Sequence, residues 1–174
     1  MLDRRLRFLK QVRLVPFVMQ GGLSWILIVL LAAALVVAAI GDWRSRMIPN
    51  RLNAAIALLA IPFWWANGLS LWPDAFIQIG VAALVFGLFA LAFRFGAMGG
   101  GDVKLVAALS LWLPAGAVLK LLVIMSLAGG LLTLAMVIRH RLKRPGGELE
   151  IPYGIAIAFG GFWLISERFL NQFS

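Results

Sequence analysis

Leu23-Ser24-Trp25-Ile26-Leu27-Ile28-Val29-Leu30-Leu31-Ala32-Ala33-Ala34-Leu35-Val36-Val37-Ala38-Ala39-Ile40 runs for 18 residues without a charge and meets Gly41-Asp42 at its end. A stretch of that length approaches the roughly 20 apolar residues that an α-helix needs to cross a bilayer. The run is continuous rather than alternating, which excludes a transmembrane barrel. Similar runs follow at 52–72, 75–93, 103–114, 117–138 and 152–170. Helices that satisfy their own backbone are then the way across lipid. The chain therefore reads as an all-α, polytopic transmembrane bundle of about six spans. Its mean hydropathy of +0.98 and its 13% of charged residues agree.

Turn chemistry supports the breaks: Asn67-Gly68, Trp72-Pro73-Asp74, Gly99–Gly101, Pro114-Ala115-Gly116 and Pro145-Gly146-Gly147 punctuate the apolar pattern. Trp43, Trp64, Trp65, Trp72, Trp112 and Trp163 fall near the proposed ends, where interfacial aromatics are expected. The chain contains no cysteine and one histidine, His140, so disulfides, cysteine-ligated zinc and histidine clusters are excluded and no metal or cofactor is expected. Its net charge of +9 comes from Arg and Lys blocks beside apolar runs. Topology and anionic headgroups account for those blocks, so the bilayer is the expected partner and nucleic acid is not.

Two segments are distinguished: a basic one at 1–20 and a membrane-embedded domain at 21–174. Arg4, Arg5, Arg7, Lys10 and Arg13 would lie opposite the other basic residues if 23–40 crosses once. Three readings stay open. Residues 1–20 form an amphipathic surface helix with Leu2, Leu6, Leu9 and Val12 on one face; translation starts at Met19; or the span count differs from six, the stretch 103–138 being its weakest part.

Against this apolar background stand few carboxylates, seven acidic residues in 174. Two of them end apolar stretches. Asp42 opens Gly41-Asp42-Trp43-Arg44-Ser45-Arg46-Met47-Ile48-Pro49-Asn50, and Asp102 closes Gly99-Gly100-Gly101 ahead of Val103-Lys104-Leu105. A carboxylate beside hydrocarbon is costly unless paired, solvated or used. Two apolar runs separate the pair, and two crossings return the chain to the side it left, so both aspartates are expected on one face. Arg44, Arg46, Arg51, Arg94 and Lys104 share that face, as do Arg139, Arg141, Lys143 and Arg144 with six spans, making it cytoplasmic.

Two close carboxyls resist double ionisation and share a proton, which suits hydrolysis: one accepts a proton from water while the other donates to a carbonyl oxygen. The glycines before Asp102 leave room for a close backbone and permit positive φ. Asp102 is also placed to cap a helix starting at Val103. A different class of protein, a small proton-coupled transporter, would use the same two aspartates as a relay. Inverted repeats would favour it, and the sequence shows no convincing internal symmetry.

The ensemble of Asp42 with Ile48-Pro49-Asn50, Gly99-x-Gly101-Asp102-x-Lys104-Leu105 and Ile151-Pro152-Tyr153-Gly154 resembles the type IV prepilin peptidases, bacterial membrane aspartyl proteases of the Gly-x-Gly-Asp class. The resemblance implies an endopeptidase of the cytoplasmic (inner) membrane that removes the basic leader of a prepilin, cutting after a glycine before the hydrophobic pilin helix. It implies Asp42 and Asp102 as the catalytic pair, Gly99 and Gly101 shaping the loop, and Pro49 and Asn50 fixing the turn into the second span. For Lys104 it leaves two roles, tuning Asp102 or meeting headgroups. Larger members of the family carry cysteine motifs and methylate the new pilin N-terminus. The cysteine-free chain resembles instead the short form that serves Flp (tight-adherence) pili, without N-methylation, with prepilin substrate and pilus assembly machinery as its protein partners.

Overall fold

In the computed structural model of the chain, residues 22–143 and 151–170 are described. They form six helices: α1 Gly22–Ser45, α2 Asn50–Ala66, α3 Phe76–Arg94, α4 Gly100–Ser110, α5 Ala115–Lys143 and α6 Tyr153–Leu170. No strand occurs among them. The basic segment 1–20 and Arg144 lie outside the described residues.

Local chemistry sets the helix ends. At the end of α1, Arg46 takes a left-handed conformation (φ 54°) and its N–H donates to the Asp42 carbonyl at 3.1 Å. That is the single-bond closure of a left-handed C-cap, and Pro49 then prevents the helix from resuming. Helices α2 and α3 end alike: Gly68 (φ 67°) and Gly96 (φ 71°) turn the chain, and the N–H groups of Leu69 and Ala97 reach back to the carbonyls of Trp64 and Ala92. These are Schellman closures, which need a residue at positive φ that glycine supplies without strain.

Three helices are long and apolar enough to cross a membrane, Gly22–Ser45, the kinked Leu71–Arg94 and Ala115–Leu142, with Tyr153–Glu167 a shorter apolar helix. The stretch 52–72 stops at Ala66, because Asn67-Gly68 closes it. The stretch 103–114 is not a span. Its helix α4 has 11 residues, so it is about 17 Å long against a hydrocarbon core of about 30 Å. Yet α4 is the centre of the bundle: Leu105, Val106 and Leu109 are fully or almost fully buried, and it packs on α2, α3 and α6.

A helix that stops inside the bundle leaves its last carbonyls without helical partners, and lipid cannot satisfy them. Side chains of α2 and α3 do so here. Trp64 Nε1 donates to the Leu111 carbonyl at 2.7 Å. The buried Gln78 amide donates to the carbonyls of Ser110 and Leu111, each at 3.2 Å, and to that of Leu113. Trp112 is correspondingly a core residue, 3% exposed, stacked 4.7 Å from Phe63 with its indole N–H on the Ile56 carbonyl. It does not join the interfacial group, because the turn that carries it lies inside the bundle. Trp43, Trp65, Trp72 and Trp163 are exposed as expected.

Helix α6 closes the bundle against α1 and α5, and its glycines set how closely. A Cβ on Gly161 would stand 2.8 Å from Leu35 Cδ1 of α1 and 3.0 Å from Leu109 Cδ2 of α4. Small residues at such crossings let helices pack where lipid offers no hydrophobic drive. Helices α5 and α6 run antiparallel, with Lys120 bridged to Glu167 at 2.6 Å and Gly129 against Tyr153. Beyond Gly129, α5 continues for 14 residues to Lys143, about 21 Å past the level where α6 begins.

Candidate active site

Three helix ends converge on one spot. Asp42 lies in the last turn of α1, Asp102 in the first turn of α4, and Gly154 in the first turn of α6. Asp42 is 4% exposed and Asp102 6%, and the two carboxylates act directly on one another electrostatically. The out-and-back course of α2 and α3 thus returns the chain to the same end of the bundle.

Ile48 is the spacer between the elements. A Cβ on Gly101 would meet Ile48 Cβ at 3.2 Å, and one on Gly154 would meet Ile48 Cδ1 at 2.8 Å. A Cβ on Gly154 would also stand 2.8 Å from Asp42 Oδ2, and one on Gly99 would stand 2.8 Å from Asp102 Oδ2. Each carboxylate is therefore laid against a bare backbone. None of Gly99, Gly100 and Gly101 has positive φ; Gly99 itself is extended at φ −72°, ψ 142°. These glycines serve space, not turning. Asp102 is likewise not the helix cap: Gly99 holds that position, and Asp102, three residues on, turns its carboxylate back toward the Gly99 amide. This is half of a capping box, with Asp in the place of Glu.

The remaining residues singled out in the sequence form the frame. Pro49 caps α2, its carbonyl accepting from the N–H groups of Leu52 and Asn53. Asn50 opens α2, and its Oδ1 accepts from Lys104 Nζ at 2.7 Å. One member of this frame escaped the sequence reading. Asn53, 4% exposed, donates from Nδ2 to the Gly101 carbonyl at 3.0 Å and ties α2 to the glycine turn. A second amide, one turn beyond Asn50 in an otherwise apolar helix, is the signal the sequence offers.

Burial, and then the charge of Asp42, push the Asp102 carboxyl up to about 7, against a smaller pull from the Gly99 amide. The groups facing Asp42 are the backbone amides of Gly154 and Ile155 and the Arg46 guanidinium. One oxygen of each carboxylate, Asp42 Oδ2 and Asp102 Oδ1, is buried without a hydrogen-bond partner. Buried polar atoms are normally paired, so these two oxygens are exceptions to that rule. Among the described residues no group of three His, Cys, Asp or Glu side chains could hold a metal ion. An apolar hollow of about 580 Å³ between α5 and α6 contains neither carboxylate.

A helical membrane protein with a buried aspartate pair at one end of its bundle is the class this fold and site define. The chain belongs to the Type IV leader peptidase family, whose sequence profile matches residues 29–134. It is similar to the "Prepilin leader peptidase/N-methyltransferase" of Pectobacterium carotovorum subsp. carotovorum, 28% identical over 154 residues, which cover 86% of this chain and 54% of that relative. The chain thus spans about half the length of the curated relative it matches. No solved structure matches it.

Proposed function

We propose that this chain cleaves the leader peptide from prepilins, with Asp42 and Asp102 as its catalytic pair. The observation that carries the reading is the pair itself: two buried carboxylates from different helices, in electrostatic contact, each with an unpartnered oxygen. One carboxylate takes a proton from water as the water oxygen bonds to the scissile carbonyl carbon. The other gives its proton to the carbonyl oxygen. Collapse of that tetrahedral species breaks the C–N bond, and the departing nitrogen takes up the proton held by the first carboxylate. Gly99, which is exposed, leaves its backbone open to an extended substrate.

The site faces the cytoplasm in this reading, across the bacterial inner membrane. Arg44, Arg46, Arg51, Arg94 and Lys104 surround that end, and the far end of α5, beyond the level of the site, carries Arg139 and Arg141. This distribution supports the orientation through the positive-inside tendency. The resemblance to the short form of the family supports Flp-type prepilins as substrates and cleavage without N-methylation.

Co-expression with a small prepilin, following the leader by mass, tests the reading. Wild type is expected to release the leader, and Asp42→Asn and Asp102→Asn to leave the precursor intact. Cleavage that survives either substitution would overturn the two-aspartate mechanism. A methylated product would overturn the restriction to cleavage.

A further inference from the structure

We infer that Gly154 is a positioning residue that divides the roles of the pair, holding Asp42 as the ionised base and leaving the proton to Asp102. The inference rests on the peptidase reading and names the parts within it. Gly154 is the second residue of α6, so its N–H belongs to the first turn, where the helix offers no internal acceptor and its dipole is positive. The Asp42 carboxylate is pressed onto that turn: a Cβ on Gly154 would stand 2.8 Å from Oδ2 and 3.0 Å from Cγ. The Ile155 amide also faces it, though it bonds the Pro152 carbonyl at 3.3 Å as well.

The two carboxylates are thus treated differently. Asp42 faces two amides of a helix start and the cation of Arg46. Asp102 faces one amide, that of Gly99, and the negative charge of Asp42. Of the two settings the first tolerates the anion better, and a proton is retained in the second. Any side chain at position 154 would separate Asp42 from the helix start that maintains this asymmetry.

The test uses the full chain in detergent with a purified prepilin, rates being scaled to the folded fraction. Gly154→Ala is expected to lower kcat by ~10²-fold, the cost of a ~1 Å displacement, with KM within about threefold of wild type. Ile48→Val removes the Cδ1 atom that a Cβ at 154 would strike. The double variant, compared with Ile48→Val alone, is expected to keep the kcat defect because the conflict with Asp42 remains. Gly160→Ala is the control for crowding on the same helix, since its Cβ meets Leu121 Cδ1 at 3.0 Å; it is expected to lower the melting temperature and spare kcat. The charged groups facing Asp42 are Asp102 from α4 and Arg46 after α1, and both stay in place. The acid limb of the kcat profile is therefore expected to move up in the double variant.

Recovery of kcat by Ile48→Val would show that Gly154 only makes room for Ile48. An equal kcat loss in Gly160→Ala, a defect confined to KM, or an unmoved acid limb would each overturn the role. A wild type that leaves prepilin uncut would instead sink the peptidase reading, so the two failures are distinct.

Discussion

Helix α4 has two ends, and both bring polar groups into the interior of a membrane protein. At its C-terminal end, Trp64 and Gln78 reach in from α2 and α3 to the carbonyls left by a helix that stops short. At its N-terminal end, Asp102 meets Asp42, and each keeps an unpartnered oxygen. Four of the six buried side-chain atoms without partners among the described residues belong to Asp42, Arg46, Asn53 and Asp102, all around this end. A buried polar group costs free energy unless hydrogen-bonded. The satisfied end therefore stabilises the fold, and the unsatisfied end, on the peptidase proposal, is held for chemistry at the fold's expense. If so, substitutions at the two ends should fail in different ways.

The largest difference is expected at the pair itself. Asp42→Asn and Asp102→Asn should each lower prepilin cleavage by ~10³-fold, within the range that a positioned acid or base contributes, while the protein stays folded. Gly99→Ala should follow. Its Cβ would stand 2.8 Å from Asp102 Oδ2, so the carboxylate must shift, and a loss of kcat of about 10²-fold is expected. Loss of folded protein instead, measured by thermal unfolding in detergent, would blur the contrast between the ends.

Gln78→Leu probes the opposite end. It strips the side-chain donor from the carbonyls of Ser110 and Leu113. Leaving buried acceptors unpaired should cost about 2 kcal/mol of stability, with cleavage per folded molecule unchanged. A kcat defect without a stability defect would break the comparison outright.

How much of this was legible in the sequence depends on how local the cause is. The apolar runs and the Asn67-Gly68 and Pro114 breaks lie within a few residues of the elements they fix, and they placed the six helices. The apolar run places position 42 just past a helix end, whereas α1 continues to Ser45; the contact that accommodates a carboxylate in its last turn comes from Gly154, more than a hundred residues on. The shortness of α4 was hidden for the same reason, since its carbonyls are satisfied by Gln78, 32 to 35 residues away. The glycine run is plain in the sequence, but the reason for it is not. The residues look alike whether they supply positive φ or empty space, and only the packed neighbours Ile48, Phe93 and Asp102 tell which.

Acidity offers a smaller test of the same end. With the Asp102 carboxyl pushed up to about 7, it holds its proton below that pH and loses it above. The sign is then fixed: the acid disappears on the alkaline side, and kcat should fall about tenfold per pH unit there. A rate that stays flat from pH 7 to 9 would remove the donor from the mechanism.

The smallest effect is expected at Lys104, where two roles were open. A tuning role requires its charge to act on Asp102, two residues earlier. Instead the ammonium reaches across to Asn50 Oδ1 at 2.7 Å on an exposed surface, and the influences on Asp102 are burial, Asp42 and the Gly99 amide. Lys104 is thus a tether between the starts of α4 and α2, in parallel with the buried bond from Asn53 to Gly101. Exposed polar pairs of this kind contribute under about 1 kcal/mol. Lys104→Met should therefore lower the melting temperature slightly and leave the alkaline limb of the rate profile where it was. A limb displaced in Lys104→Met would show that the charge reaches the carboxylate after all, and the tether would become a tuner.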